Sequence, residues 1–349
     1  MKKILLEECC EILDSMRVPI TATERKKGVY PYYGANGIQD YIDDYIFDDE
    51  LVLLAEDGGN FGSKEKPIAY RVSGRCWVNN HAHVLKPKEG LDVDYLCYAL
   101  MFYNVEGMVN GATRQKLTQA AMRRMLIPMR NQEEQKEIVQ KLNIIQKVRK
   151  KRKLQLKKYD DLVKSRFVEM FGDPIINPKK WKVTTIGDVV TEVRYGTSKP
   201  AVEGGKYPYL RMNNLTYDGH LDLKDLKYID IPDEEIEKCV VRKGDILFNR
   251  TNSIDLVGKT TVFDMSEDMV IAGYIIRVRL KEELLPEILS QYMNLEAIKK
   301  ILRSMAKGAV NQANINAQEL QKINIYIPDI ELQKEFIKTQ GQINKSKFY

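Results

Sequence analysis

Apolar residues recur at intervals of three and four between Gln132 and Met170, a stretch without glycine or proline. This spacing predicts one long helix with a coiled-coil-like seam, interrupted by basic residues at 149–153. Phe171-Gly172-Asp173-Pro174 supplies its stop signal. At 1.5 Å per residue the helix is roughly 58 Å long, and we interpret it as a spacer. The seam positions offered to a partner are Ile138, Leu142, Ile145, Leu156, Tyr159 and Val163.

Shorter apolar runs on both sides of this helix predict strands. Leu51–Leu54 and Ile246–Phe248 have the length and flanking residues of buried strands, and Ile275–Leu280 alternates apolar residues with arginine. The patterns of Asp94–Tyr103 and Pro286–Lys300 predict helices, the second with proline in its first turn. We therefore expect an α+β protein with strand-rich bodies.

The same short sequence strings occur twice along the chain, in the same order. The matched positions drift in offset from 177 at Tyr30 and Tyr207 to 197 at Gly111 and Gly308. A period this long is far beyond that of a solenoid and indicates a duplicated domain. The matched strings are Tyr30-Pro31-Tyr32 with Tyr207-Pro208-Tyr209, Gly62-Ser63-Lys64 with Val257-Gly258-Lys259, Ile127-Pro128 with Ile327-Pro328, and Gln135-Lys136-Glu137 with Gln333-Lys334-Glu335.

These patterns divide the chain into two domains and two helical segments. We expect domains at residues 1–130 and 173–328, a spacer helix at 131–172 and a shortened C-terminal helix at 329–349. The last segment opens like the spacer but stops after 21 residues. A helix with one apolar face needs a partner, which here is either cut short or supplied by another chain.

Composition narrows the class of protein. The hydrophobic share of 44% and charged share of 30% are those of a globular chain that can bury large cores. Since no secretory signal and no window of 18 apolar residues occur, we expect a cytoplasmic protein without a membrane span. Five cysteines without a C-x-x-C pair argue against both a zinc ribbon and a disulfide framework.

The net charge of +6 is concentrated in the spacer. Residues 131–171 hold 12 Lys and Arg against 6 Asp and Glu, a difference of +6 that equals the whole excess. The run Lys147–Lys158 is either a solvated helix face or a surface that attracts DNA or an acidic partner.

Groups that match base edges collect in the loops of both copies. Asn and Gln can pair with adenine and Arg with guanine, although Asn and Gly also simply make turns. In the first copy the candidates for DNA contact are Tyr33, Asn36, Asp57, Asn60, Asn79, Asn80, His81, Thr113, Arg114 and Gln115. In the second copy they are Arg211, Asn213, Asn214, Asn249, Arg250, Thr251, Asn252, Tyr274, Asn311 and Gln312.

Catalytic and metal-binding patterns are missing or weak. The chain has no Asn/Asp-Pro-Pro-aromatic tetrapeptide of adenine methyltransferases and no phosphate-binding G-x-x-x-x-G-K-[ST] loop. We expect no metal, no cofactor and no catalytic residue. His81 and His83 are two residues apart, so a strand would point both side chains to the same face. We therefore expect both to face solvent or DNA rather than a metal.

The ordered strings together resemble the specificity subunit of type I restriction-modification systems. Those that carry the resemblance are Tyr30–Ile38, Glu56–Asn60, Phe171–Pro174 and Gly244–Phe248, and it covers essentially the whole chain. It implies two target recognition domains that read a bipartite double-stranded DNA target. It also implies two methyltransferase subunits, which methylate adenine with S-adenosylmethionine, and restriction/translocase subunits as partners.

Two other interpretations remain open. A self-contained nuclease or methyltransferase would need the motifs that the sequence lacks. A truncated or inactive specificity subunit would bind methyltransferase without reading DNA, and a sequence preference that persists at high salt distinguishes a reader from it.

Overall fold

The computed structural model describes residues 2–111, 113–309 and 312–347. Its contacts divide the chain into unit 1, Met1–Lys151, and unit 2, Arg152–Tyr349. Each unit combines sheets with short helices, as the sequence predicts. The forty-residue helix α4 (Gln132–Phe171) begins in unit 1 and ends in unit 2, close to the predicted 132–170. Gly172 follows it with φ of 88°, a left-handed conformation that favours glycine at a helix end.

Unit 1 contains a six-stranded sheet in the order β2-β7-β5-β6-β3-β4. Its strands are β1 (Lys2–Leu5), β2 (Cys10–Ile12), β3 (Lys27–Gly34), β4 (Gly37–Ile42), β5 (Phe47–Ala55), β6 (Ala69–Val78), β7 (Ala82–Pro87), β8 (Val109–Asn110), β9 (Lys116–Leu117) and β10 (Leu126–Met129). Besides α4, its helices are α1 (Leu6–Cys9), α2 (Val93–Met101), α3 (Gln119–Arg123) and a 3₁₀ turn at Asp14–Met16.

Unit 2 contains two four-stranded sheets, β12-β20-β16-β18 and β14-β13-β19-β15. Its strands are β11 (Lys182–Thr185), β12 (Val190–Tyr195), β13 (Tyr207–Leu210), β14 (Lys227–Ile229), β15 (Val240–Val241), β16 (Ile246–Asn249), β17 (Thr251–Asn252), β18 (Thr260–Val262), β19 (Met269–Ile271), β20 (Ile275–Leu280), β21 (Lys307–Ala309), β22 (Gln312–Asn314) and β23 (Asn324–Ile327). Its helices are α5 (Ile186–Val189), α6 (Asp233–Cys239), α7 (Pro286–Met293), α8 (Glu296–Met305), α9 (Ala317–Gln321) and α10 (Ile330–Ser346), with a 3₁₀ turn at Met212–Asn214.

The apolar strand runs are continuous because both faces of each strand are covered. In β5, Val52 and Leu54 belong to one hydrophobic cluster, whereas Leu51 and Leu53 belong to another on the opposite face. Strand β16 repeats the arrangement, with Leu247 in a cluster different from that of its neighbours. Successive side chains of a strand point to opposite faces, so two cores require an unbroken apolar run.

One predicted helix is wrong in its extent. The pattern at 286–300 suggested a single helix, but the structure has α7 and α8 with Asn294 and Leu295 between them. Leu295 is extended, with φ of −70° and ψ of 141°. The Asn294 amide donates to the Ser290 carbonyl oxygen at 2.9 Å and to that of Thr260 at 2.7 Å, which favours a helix end at this residue.

Duplication is visible in the buried contacts of two matched glutamines. Gln135 accepts from the Asp92 N–H at 2.8 Å and donates to two carbonyl oxygens. Gln333 accepts from the Leu285 N–H at 2.9 Å and also donates to two carbonyl oxygens. Both glutamines are fully buried, so each fixes the first turn of its helix, α4 or α10, to the loop before α2 or α7.

Candidate nucleic-acid interface

The segment 79–81 ties two loops of unit 1 together. The Asn79 N–H donates to the Tyr33 carbonyl oxygen at 3.0 Å, and the Glu56 N–H donates to the His81 carbonyl oxygen at 2.9 Å. Tyr33 lies near the end of β3 and Glu56 directly follows β5. The loops that the sequence analysis selected therefore meet at one side of the unit.

Five side chains at this meeting point form polar cluster 1, namely Asn36, Asp57, Asn79, His81 and Arg114. The Asp57 carboxylate lies 2.7 Å from Arg114 Nη2 and 2.7 Å from His81 Nδ1. Asn36 donates to the Gly58 carbonyl oxygen at 2.9 Å. Arg114 is the most exposed member of the ion pair, with 60% of its side chain open to solvent against 18% for Asp57. Asp57 thus holds one terminal nitrogen of the guanidinium, while the other donors of Arg114 can reach a ligand.

Polar cluster 1 rests on a buried histidine. His83 Nδ1 lies 2.7 Å from Asp14 Oδ2, and Nε2 lies 2.9 Å from the Leu117 carbonyl oxygen. Both ring nitrogens therefore face acceptors of the protein. Asp14 also accepts from Gln119 at 2.9 Å and from the Val84 N–H at 2.9 Å.

The second carboxylate of this support is Glu56, next to Asp57 in the chain. It accepts from Arg17 at 2.6 Å and from Lys116 at 2.9 Å. We call Asp14, Arg17, Glu56, His83 and Lys116 the ionic network. Since it joins the start of the unit to β5, β7 and β9, it fixes the backbone that carries polar cluster 1.

Both carboxylates of the ionic network have lowered pKa values. Burial by itself raises the pKa of Glu56, but hydrogen bonds from Arg17 and Lys116 outweigh it and bring the pKa below its usual 4.5. Burial likewise raises the pKa of Asp14, and hydrogen bonds from His83 and Gln119 with the His83 charge more than offset it. Both groups therefore stay ionised at neutral pH.

The expectation that both His81 and His83 face solvent or DNA is wrong for His83. Its side chain is fully buried in the ionic network, whereas His81 lies in the turn before β7 with 33% of its side chain exposed. The strand begins only at Ala82, so the alternation that we applied to the pair does not hold.

Other candidates of the first copy line neighbouring surface. Tyr33 packs against Tyr70 with ring centroids 5.7 Å apart, and both border a cavity of about 590 Å³ with Asn36 and Asn60. The remaining candidates Asn80, Thr113 and Gln115 are exposed.

In unit 2, six candidates border one cavity of about 660 Å³, and the buried Thr251 is one of them. The other five lie in the loops after β13 and β16, directly before β20, and at the start of β22. We call Arg211, Asn213, Arg250, Tyr274 and Gln312 polar cluster 2. Strands β13 and β19 run parallel, as do β3 and β6 in unit 1, so their following loops lie at the same edge.

Arg250 is oriented by an aromatic ring and an amide. Its guanidinium carbon lies 4.8 Å from the Tyr195 ring centroid, a cation–π geometry, and Nη2 lies 3.4 Å from Asn314 Oδ1. Arg211 is held by Asp225 at 2.7 Å. Within the described part of the chain, Nε of both arginines is buried without a hydrogen-bond partner. A ligand that accepts hydrogen bonds in the cavity would complete these donors.

Three amides and one hydroxyl that we expected to touch DNA are buried instead. Asn79, Asn214, Asn249 and Thr251 are at most 5% exposed, so direct base contact is the wrong role for them as the structure stands. Asn214 accepts from the Arg211 N–H at 2.9 Å and donates to the Asp222 carbonyl oxygen at 2.8 Å. Asn252, partly exposed, donates to Asn249 Oδ1 at 3.2 Å. Asn214 thus shapes its loop through bonds to the chain around it, whereas Nδ2 of Asn249 has no hydrogen-bond partner among the described residues.

Asn311 lies outside the described residues. Sequence reasoning also missed four side chains that hold the candidate arginines or their loops: Arg17, Lys116, Tyr195 and Asn314. Residue type was their only signal, because each acts through a partner distant in the chain.

Some side chains of the spacer seam pack into the core of unit 1 or unit 2, and others are exposed to solvent. Val163 is 4% exposed inside the core of unit 2, so partner contact is the wrong role for it, and Ile138 packs against the core of unit 1. Leu142 and Tyr159 are half-buried. Ile145 and Leu156 remain exposed, at 60% and 36%, and are the seam positions available to another chain.

Two groups of side chains in the described residues have the geometry of metal ligands. Asp14, Glu56 and His83 form the ionic network, in which both ring nitrogens of His83 already face protein acceptors. The second group, Asp160, Asp218 and His220, lies in unit 2. Among the helices of the described residues, none is long and apolar enough to cross a membrane.

A family profile, the type I restriction modification DNA specificity domain, matches residues 1–158 and 178–347. A Haemophilus influenzae protein provisionally assigned as a type I restriction enzyme specificity subunit is 29% identical over 342 residues, covering 95% of this chain and 84% of that protein. The EcoKI specificity subunit of Escherichia coli is 22% identical over 315 residues, covering 84% of this chain and 68% of that subunit.

Solved structures extend the similarity to the fold. The crystal structure of a type I restriction-modification S subunit from M. genitalium superposes with a TM-score of 0.52 at 13% identity. The match covers 99% of this chain and 90% of that one. At this identity, the likeness concerns the fold alone.

Proposed function

This chain belongs to the type I restriction-modification DNA specificity family and is a specificity subunit, and we propose that its two units each read one half of a bipartite double-stranded DNA target. One observation carries the proposal. Each unit presents an arginine, Arg114 or Arg250, among amides at the edge of a polar cavity. Arginine pairs bidentately with guanine, and amides pair with adenine.

In this proposal residues 1–130 and 173–328 are the two target recognition domains. Polar cluster 1 reads the first half-site and polar cluster 2 reads the second. The buried Asn79, Asn214, Asn249 and Thr251 hold the loops, and exposed amides such as Asn36 and Asn213 reach the bases. Phosphate contacts then supply the salt-dependent part of the affinity.

The helical segments 131–172 and 329–349 serve as the spacer and the assembly surface. A continuous helix resists compression, so α4 sets the unread gap between the half-sites. The exposed Ile145 and Leu156 are suited to contact two methyltransferase subunits, with restriction/translocase subunits joining that complex. The exposed basic run 147–158 adds attraction to DNA.

Catalysis in this proposal resides in the partners. The chain itself recognises DNA, and S-adenosylmethionine and ATP chemistry belong to the methyltransferase and translocase subunits. Since its proposed ligand is genomic DNA, we place its action in the cytoplasm.

Methylome sequencing tests this function directly. Cells carrying the wild-type chain with its methyltransferase subunit should show one bipartite adenine-methylated motif. The Arg250→Ala variant should relax the second half only, and Arg114→Ala the first half only. A single contiguous motif, or loss of both halves in either variant, would contradict the two-reader proposal.

The purified chain distinguishes a reader from a mere assembly module. Competition binding over a salt series should retain preference for the methylated motif where nonspecific binding has collapsed. Equal affinity for the motif and a scrambled duplex at every salt concentration would favour the assembly module instead.

A further inference from the structure

Unit 2 contains a cavity of about 220 Å³ away from polar cluster 2. Its walls come from the second half of α4, the loop 216–222, α7 and α10. Three potential ligand side chains, Asp160, Asp218 and His220, meet there, and one ligand atom from each lies within 4.8 Å of the other two. His220 Nε2 is 3.5 Å from Asp160 Oδ1.

A buried amide oxygen in the same wall has no partner. Asn294 is 6% exposed, and its Nδ2 donates to the carbonyl oxygens of Thr260 at 2.7 Å and Ser290 at 2.9 Å. A flipped amide would press its oxygen against these two acceptors, so the orientation is fixed. Oδ1 of Asn294 is then left without a hydrogen bond among the described residues, and Oδ1 of Asn344, which lines the same cavity, is in the same state.

An unpartnered acceptor lowers its cost by meeting a cation or a donor. The Asn294 amide packs directly against Gly219, between Asp218 and His220 in the chain, since a Cβ on Gly219 would lie 2.4 Å from Asn294 Nδ2. Asn294 and Gly219 both line the cavity, so this amide with its unpartnered oxygen borders the three ligand side chains.

The charge of the cavity also favours a cation. Four carboxylates line it, from Asp160, Asp218, Asp264 and Glu287. Only two ammonium groups, Lys164 and Lys347, oppose them. With His220 counted as neutral, the lining of the cavity carries a net of two negative charges. A divalent ion would balance this charge.

We propose that Asp160, Asp218 and His220 form a divalent transition-metal site in the cavity that Asn294 and Asn344 also line. One imidazole with carboxylate and carbonyl oxygens suits Mn²⁺ or Zn²⁺. The Lys347 ammonium lies 2.6 Å from Asp160 Oδ1, so a metal ion competes with it for this carboxylate. Metal occupancy would thereby act on the end of α10, which Lys347 follows.

Electron paramagnetic resonance tests the site with Mn²⁺ alone. The metal-free, tag-free full-length chain is titrated with MnCl₂, and the free-ion signal reports unbound metal. We expect about one equivalent to be bound. His220→Ala and Asp218→Asn should each weaken binding at least about tenfold, because losing even an outer-shell partner costs about 10- to 100-fold. His81→Ala, which removes a histidine elsewhere, should bind Mn²⁺ like the wild type.

A parallel calorimetric titration with ZnCl₂ uses the same four proteins. Both cavity side chains are exposed, so their variants should fold, and unchanged thermal unfolding without metal verifies this. The proposal is overturned if the wild-type chain binds neither ion below millimolar concentration. It is equally overturned if His220→Ala and Asp218→Asn bind as tightly as His81→Ala.

Discussion

Polar clusters 1 and 2 each present an arginine, on supports of different chemistry. Arg114 is braced by the Asp57 carboxylate, above the charged groups of the ionic network. Arg250 is braced by the Tyr195 ring and the Asn314 amide, and it directly follows the buried Asn249. The arginines come from different loops of the repeat, the loop between β8 and β9 and the loop after β16, so the two units differ both in where the arginine lies and in how it is held.

This difference bears on how each site tolerates change. A buried ion whose partner is removed is left uncompensated, which is more costly than losing a neutral hydrogen bond. We therefore expect that removing one side chain of the ionic network costs unit 1 more unfolding free energy than removing one supporting side chain of polar cluster 2 costs unit 2.

The largest effect is expected from His83→Ala. Removing the ring takes a partner from the buried Asp14 carboxylate, which keeps Arg17 at 3.5 Å, and empties a fully buried site. Breaking a buried pair costs about 3–5 kcal/mol of unfolding free energy. The chain has two tryptophans, Trp77 in unit 1 and Trp181 in unit 2. Urea unfolding of single-tryptophan variants, Trp181→Phe or Trp77→Phe, then reports each unit separately.

The His83→Ala loss should appear in the Trp77 signal. The matched control His81→Ala should cost less than about 1 kcal/mol, because it removes only a partly exposed pair. Asn214→Ala, the corresponding cut in unit 2, should cost about 1–3 kcal/mol in the Trp181 signal. Equal losses of unfolding free energy for His83→Ala and His81→Ala would contradict the division into buried supporting side chains and exposed ones.

Arg250→Ala should have the next largest effect, on recognition. Loss of a bidentate contact costs about 1–3 kcal/mol of discrimination at one base pair of the second half-site. Fluorescence anisotropy with duplexes substituted in one half-site measures this discrimination. Arg114→Ala is the mirror variant and should change the first half-site only.

Asp57→Asn should have a smaller effect. The carboxylate orients Arg114, and partly exposed ion pairs contribute about 0.2–1 kcal/mol. Discrimination at the first half-site should fall by no more than that amount, with the second half-site unchanged. If Asp57→Asn cost as much as Arg114→Ala, Asp57 would be a base-reading group itself.

The smallest effect is expected from mild acid. Glu56 and Asp14 have pKa values below their usual 4.5 and 3.8, so their contribution to stability is fully present above those values. It is lost only as the pH falls through the lowered values of the folded state. The urea midpoint reported by Trp77 should therefore be constant from pH 7.5 to pH 5.5. A decline already at pH 6 would show that these carboxylates do not carry the support.

Much of the fold could be predicted because it follows local periodicity. The seam and stop signal located α4 within one residue at its end, and β20 coincides with the alternating run Ile275–Leu280. The 286–300 pattern failed at Asn294, where an amide bonded to a distant carbonyl ends the helix. Periodicity within a helix carries no information about such a contact.

The sequence located the loops of the candidate site but did not show which of their side chains are buried and which reach a cavity. The sequence selected Asn214, Asn249 and Arg250 by the same argument, yet two are buried and one reaches a cavity. His83 was read from strand alternation, and the strand began one residue too late for that argument.

The sequence by itself determined the duplication, the spacer helix, the strand-rich bodies and the loops that carry polar groups, because these depend on the order and spacing of residues. Only the tertiary structure decided which polar side chains are buried supports and which are exposed. Pairs such as Asp14 with His83 and Tyr195 with Arg250 are 69 and 55 positions apart. Their contact depends on how strands pair and on which face each side chain occupies. Spacing along the chain does not encode which distant residues come into contact.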